Sequence, residues 1–261
     1  MYPTLIHLGP FRLATYGVLV AAGYLAGILW LASERERMGL SEREFWNLIY
    51  ALFAGAILGG KLLYWAVEWR ALLSGELRPF RDFRYGFVFL GGFYGSVVAG
   101  LLYRRRVSGP YLAVADYFGV ALPMGHAIGR LGCLAAGCCY GRPTELPWGI
   151  RFTHPETLVE ERLIGVPLHP AQLYEAAANA AIAWLMLRLL RRTQGGDLKP
   201  GTPFLAYIAV YSAARFAVEL FRGDDRGGFW LGLSVSQWIG LAAFAVAGGW
   251  MLRRGAREAR A

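Results

Sequence analysis

Long apolar stretches alternate along this chain with short polar ones, in windows at roughly 12–33, 45–68, 86–103, 112–135, 170–190, 202–221 and 231–252. A helix that crosses the hydrocarbon core of a bilayer needs about 20 mostly apolar residues. The pattern therefore predicts an all-α, polytopic membrane protein with about seven transmembrane helices. Between the windows lie SERERMGLSERE, WRALLSGELRPFRDFRYG, RRRVSGP, a longer loop at about 138–168, RRTQGGDLKPG and RGDDRGGFW. No linker, low-complexity run or internal repeat divides the sequence. The expectation is one transmembrane domain over 1–261 with a periplasmic loop or small subdomain at about 138–168.

Composition sharpens that picture. The chain is 56% hydrophobic and 17% charged, against about 25% charged residues in soluble domains. Its net charge of +9 raises the question of nucleic acid. The basic residues, however, sit in short clusters such as Arg104 to Arg106 and Arg191–Arg192, just after apolar runs, as cytoplasmic anchors do. No nucleic acid partner is expected. Fourteen Lys and Arg fall in one set of alternate loops and nine in the other, which favours an outside N-terminus and a cytoplasmic C-terminus. Trp65, Trp69, Trp148 and Trp230 then lie near the outer interface. The opening MYPTLIHLGPF lacks a basic n-region and a small-residue cleavage site, so no removable signal peptide is expected. Three cysteines without a repeated CxxC argue against a disulfide scaffold or a structural zinc site and leave at least one thiol free. No metal and no cofactor is expected.

Charges inside spanning helices are expensive and mark functional sites by default. Lys61, Asp116, Arg130, Glu175, Arg215 and Glu219 fall within or at the ends of the windows. With the orientation above, Lys61, Arg130, Arg215 and Glu219 lie toward outer helix ends, as do His169, Tyr174, Glu175, Tyr16 and the pair Gly91–Gly92. Asp116 is the exception, near an inner end. For Lys61 or Arg222 singly, an interfacial snorkelling residue is as good a reading. Arg215, Glu219 and Arg222, at i, i+4 and i+7, share one helix face, and a purely structural Arg215–Glu219 pair is an alternative. Two guanidinium groups from different helices in a lipid-accessible pocket suit a phosphate, because the planar fork of Arg matches phosphate oxygens. A phospholipid head group is the expected ligand.

These motifs resemble those of the bacterial prolipoprotein diacylglyceryl transferases. The resemblance rests on TYGV, GGKLLYW, FLGGFYG, GRLGCLAAGCCYGRP, HPAQLYE, RFAVELFRGDD and LSVSQ, in that order. It implies transfer of the diacylglyceryl group of phosphatidylglycerol to the lipobox cysteine thiol of a prolipoprotein, forming a thioether and releasing glycerol 1-phosphate. It also implies the inner membrane, a site facing the periplasmic leaflet, and phosphatidylglycerol, membrane lipid and the prolipoprotein signal peptide as partners. Arg130 matches the signature arginine that contacts the phosphate, and Arg215 the second arginine at that head group. Tyr16, Gly141, His169, Tyr174, Glu175, Glu219 and Arg222 match further motif positions.

The sequence departs from the family pattern in two places. Leu90 stands where the family has a histidine before the paired glycines, and Cys133, Ala136 and Cys138 stand where the signature has asparagines and a glutamate. His126, four residues before Arg130 and on its helix face, is a candidate base for the acceptor thiol; a packed or interfacial histidine is the alternative. Cys133, Cys138 and Cys139 could be apolar filler, a disulfide of Cys133 with one of the other two, or reactive thiols near Arg130. Rival functions are a membrane thiol oxidoreductase, an anion transporter, and a relative that binds phospholipid or signal peptide without catalysing transfer.

Overall fold

The computed structural model describes residues 2–9, 11–79, 81–83, 86–106, 110–224 and 229–258. Among the loop residues counted for orientation, Arg84, Arg226 and Arg260 lie outside the described residues, as does part of the stretch RGDDRGGFW. The chain is mostly helical and falls into two compact units, Glu34–Tyr111 and Met1–Ser33 together with Leu112–Ala261.

In the first unit, α2 (Glu42–Val67) is followed by the short α3 (Trp69–Leu73) and by α4 (Phe89–Tyr103). A capping box starts α2: Ser41 Oγ accepts from the Glu44 amide at 3.3 Å while Glu44 Oε2 accepts from the Ser41 amide at 2.9 Å. Glycines then let α2 and α4 approach to backbone contact. A Cβ at Gly55 would lie 2.5 Å from the carbonyl oxygen of Gly95, and Gly59 and Gly91 face each other in the same way. Small residues at four-residue spacing are how helices gain packing in a bilayer that offers no hydrophobic drive between them. Lys61 is buried and donates to the Gly86 carbonyl at 2.7 Å, with Nζ 4.8 Å from the Phe83 ring centroid.

The second unit opens with a hairpin, β1 (Thr4–Leu8) and β2 (Phe11–Ala14), that leads into α1 (Thr15–Ser33). Then come α5 (Tyr111–Ala136), the paired β3 (Ile150–Arg151) and β4 (Pro167–Leu168), α6 (Ala171–Gln194) and α7 (Thr202–Glu219). A second small hairpin, β5 (Phe229–Trp230) and β6 (Leu233–Ser234), precedes α8 (Val235–Glu258). α1 packs on α5 through Gly23, Gly27, Gly125 and Gly132; a Cβ at Gly125 would meet the Gly23 carbonyl at 2.7 Å. Within the 138–168 loop, Tyr140, Phe152, Val159 and Leu168 form a small core of their own.

Asp116, singled out as a charge in lipid, has a structural duty. It is fully buried, and its carboxylate accepts from the Gly201 amide at 2.6 Å and the Phe204 amide at 2.9 Å. The first amides of a helix have no partner within it. Gly201, the N-cap of α7, has no side chain to supply one, so Asp116 of α5 supplies it, and a carboxylate there also suits the helix dipole.

Among the described residues, five helices are long and apolar enough to cross a membrane: α1, α2, α5, α6 and α8. The other two windows also form helices, α4 of 15 residues and α7 of 18. At 1.5 Å per residue, α4 alone reaches about 22 Å, short of the roughly 30 Å hydrocarbon core. α7 carries Arg215 and Glu219 near its end, which lowers its hydropathy.

Candidate active site

The site is assembled entirely within the second unit, from the C-terminal turns of α5 and α7, the first turn of α6, and the segments that follow α5 and α7. On α5, the i, i+4 spacing puts His126 and Arg130 on one face. Arg130 Nε donates to His126 Nε2 at 3.0 Å, which requires the neutral ring to carry its proton on Nδ1. Arg130 Nη1 donates to Cys133 Sγ at 3.7 Å, and Nη2 lies 2.9 Å from Glu175 Oε1.

Glu175 is the centre of the arrangement. It sits one turn into α6, is 2% exposed, and faces three guanidinium groups and an imidazole. Besides Arg130, Arg215 Nε lies 3.9 Å and His126 Nε2 3.6 Å from Oε1, and Arg222 Nη1 lies 3.7 Å from Oε2. Neither oxygen accepts a hydrogen bond from a described residue. The contacts hold by charge. Further carboxylates anchor two of the arginines. Arg215 Nη1 is 2.6 Å from Glu219 Oε2, and Glu219 Oε1 accepts from the hydroxyls of Ser234 at 2.7 Å and Ser236 at 2.8 Å. Arg222 makes a two-pronged pair with Asp224 at 2.7 Å for each contact.

The loop after α5 joins the segment after α7 through backbone. The Gly141 amide donates to the His169 carbonyl at 3.0 Å, the Arg142 amide to Phe221 at 2.9 Å, and the Gly223 amide to Tyr140 at 3.1 Å. A Cβ on Gly141 would lie 2.5 Å from both the Cβ and the carbonyl oxygen of His169, so only glycine fits there. His169 Nδ1 shares a hydrogen with the Tyr174 hydroxyl at 3.1 Å, and that hydroxyl accepts from Trp148 Nε1 at 2.8 Å. The rings of His169, Tyr174 and Phe221 pack edge to face beside it. Two networks result: the charged one around Glu175 and this aromatic one at the loop.

The family model for prolipoprotein diacylglyceryl transferase matches residues 3–253. The chain belongs to this family. Among its relatives is the phosphatidylglycerol–prolipoprotein diacylglyceryl transferase of Clostridium tetani, 32% identical over 92% of this chain and 93% of its own length. Proteins of the same name from Geobacter sulfurreducens and Cupriavidus pinatubonensis are 34% and 31% identical, over 85% and 98% of this chain and 83% and 93% of their own.

Of the residues that the family signature and the helix windows single out, Arg130, His126, Glu175, Arg215, Glu219 and Arg222 meet in the charged network. Gly141, His169 and Tyr174 meet in the loop network. Tyr16 lies at the edge: its backbone packs on Gly132 of α5, the residue is 44% exposed, and its hydroxyl is within electrostatic reach of Arg130 and the three cysteines. Sequence reasoning passed over Ser234, Ser236 and Asp224, although LSVSQ and RGDD were in view. Polar residues flanking a charged helix end were the available signal.

The cysteines bear on two of the readings from sequence. No disulfide links them: Cys133, Cys138 and Cys139 all carry reduced thiols. The missing CxxC argued against a structural zinc site; the turn after α5 nevertheless brings their three sulfurs within 4.8 Å of one another. Hydrogen bonds with the Cys133 and Cys138 thiols, aided by Arg222 and Arg130 nearby, hold the Cys139 thiol far below the usual range. Hydrogen bonds with Cys133 and Cys139, together with burial, push the Cys138 thiol up.

Proposed function

We propose that this chain transfers the diacylglyceryl group of phosphatidylglycerol to the lipobox cysteine thiol of prolipoproteins, forming a thioether and releasing glycerol 1-phosphate. Membership of the family supports this reading. The observation that carries it is the convergence of Arg130, Arg215 and Arg222 on the buried carboxylate of Glu175.

In the reaction, a thiolate attacks the glycerol carbon that bears the phosphate ester oxygen. The C–O bond breaks and its electron pair stays on the phosphate. Charge therefore develops on the phosphate oxygens, where preorganised donors in a water-poor site are most effective. Arg130 and Arg215 fill that role, with Arg222 as a third contact to the head group. Glu175 holds the guanidiniums apart from one another. Glu219, fixed by Ser234 and Ser236, keeps Arg215 aimed. His126 accepts from Arg130 Nε and orients it, and that lone pair is then spent on the arginine. His169, Tyr174 and Gly141 shape the pocket wall, and Tyr16 offers its hydroxyl from α1.

The remaining features follow the same reading. Seven helices span the inner membrane as a single domain, with the N-terminus outside, the C-terminus cytoplasmic and the 138–168 loop periplasmic. The site faces the outer leaflet, where phosphatidylglycerol and the signal peptide of the prolipoprotein both reach it.

The test is transfer of radiolabelled diacylglyceryl from phosphatidylglycerol to a lipobox peptide by the purified protein. Arg130→Ala is expected to slow transfer by roughly 10²–10³-fold, the cost of one oxyanion donor. A folded wild-type protein without transfer would overturn the reading.

A further inference from the structure

Cys133 lies in the last turn of α5, and the chain reverses immediately after it. Gly137, at φ 77°, ends the helix, its amide and that of Cys138 both donating to the Cys133 carbonyl at 3.0 and 3.2 Å. Cys139 follows at φ 62°, in the left-handed region that residues with a side chain seldom occupy. Strained backbone of this kind persists where the surroundings over-determine it, and it gathers at functional sites. Here the turn brings three reduced thiols from a seven-residue stretch to within 4.8 Å of one another.

Three sulfurs so placed are a ligand set for a soft cation. Zinc–thiolate bonds are about 2.3 Å, which puts tetrahedral sulfurs roughly 3.8 Å apart. Each sulfur would therefore move by no more than about 1 Å to close three corners of a tetrahedron. Cys133 is buried and the other two are partly buried, so the site is shielded but not sealed. Three thiolates and one dication carry a net negative charge, and positive partners are in place: Arg130 Nη1 already donates to Cys133 Sγ. Three protein ligands with an open fourth position is the arrangement of catalytic rather than structural zinc.

The open position has an evident occupant. The transferase reading consumes a thiol, and the reactive form is the thiolate. Around Arg130, His126 commits Nε2 to that arginine, and His169 holds Nδ1 against Tyr174. A thiol bound to a dication, by contrast, is deprotonated by the metal itself. We propose that Cys133, Cys138 and Cys139 bind one thiophilic divalent cation, zinc being the natural choice, and that its fourth position takes the lipobox thiol as a thiolate beside the phosphate-binding arginines.

The proposal rests on the transferase reading for the identity of the fourth ligand. In the step, the peptide thiol gives its proton to solvent on binding the cation. The sulfur lone pair forms the S–C bond to the glycerol carbon, the C–O bond breaks, and the electron pair leaves on the phosphate of glycerol 1-phosphate. The cation neither gains nor loses electrons.

The experiment uses the full chain in detergent, stripped of metal by chelation under reducing conditions and titrated with Co²⁺. One equivalent is expected to bind with a thiolate-to-metal charge-transfer band. That band should be weakened in Cys133→Ser and Cys139→Ser variants that keep the wild-type thermal unfolding profile. A lipobox peptide should then shift the cobalt d–d bands toward four-sulfur coordination, and the same peptide with serine in place of cysteine should not. No cobalt binding by folded wild-type protein, or binding that the cysteine peptide leaves unchanged, overturns the proposal. Transfer is measured in parallel on stripped and Zn²⁺-loaded protein. Full transfer by metal-free protein overturns the metal site and leaves the transferase reading intact. A cysteine-specific cobalt shift without any transfer overturns the transferase reading and supports the thiol-binding metal site.

Discussion

Glu175 is the residue on which the site depends most. Its single carboxylate stands between three guanidiniums at 2.9–3.9 Å, and removing one partner of a buried ion pair costs about 3–5 kcal/mol. Glu175→Gln keeps the shape and removes the charge. It is expected to lower the thermal unfolding temperature in detergent markedly and to reduce transfer at least 100-fold, about the loss of one preorganised charge partner. A Gln variant with wild-type turnover would show that the arginines keep their places unaided. The charged members of this cluster were legible in the sequence, because an ionised group in an apolar window is conspicuous. Their common focus was not: that Glu175 rather than a phosphate organises the arginines is a matter of side-chain placement across three helices. The clustering of the cysteines was hidden in the sequence for a related reason. Spacing rules for metal sites describe ligands on regular hairpins and helices, and here a left-handed turn at Gly137 and Cys139 does the gathering.

At the scale of elements, the seven apolar windows all emerged as helices among the described residues, with ends that moved by up to several residues. Hydropathy finds a window but not its length, which is why α4 is shorter than its window of 86–103. Two contacts between elements are directly testable. Asp116→Ala strips α7 of a cap that its own N-cap glycine lacks, and the loss of such a cap costs about 1–2 kcal/mol; thermal unfolding reads it. Gly95→Val places a branched side chain against the Gly55 backbone in the α2–α4 seam, where overpacking costs roughly 1–3 kcal/mol. The N-terminal hairpin is held differently. Thr4 donates to Glu156 at 2.8 Å, and with Arg12 alongside, this keeps the Glu156 carboxyl below its ordinary value. A depressed carboxyl contributes above its unfolded pKa and loses that contribution as pH falls through the folded value. Hydrogen exchange in β1 and β2 is therefore expected to speed up as the pH is brought below the ordinary glutamate range.

Across the whole molecule, the basic residues were the part of the sequence that spoke to orientation. Reporter fusions check it: a fluorescent protein fused after Arg254 should fluoresce in the cytoplasm, and alkaline phosphatase inserted near Gly165 should be active outside. The reverse pattern would turn the site to the wrong leaflet for a secreted acceptor. The stitching of Gly141, Arg142 and Gly223 to His169, Phe221 and Tyr140 bears on how such a protein can be recombined. The stretch from 137 to 170 and the exit from α7 form one joint, and Arg222 takes its place from that joint, through its pairing with Gly141, as well as from the last turn of α7. A chimera that borrows the loop from a relative but keeps its own residues 219–224 should insert in the membrane and still misplace Arg222, whereas exchanging both pieces together should carry the seat of the arginine intact.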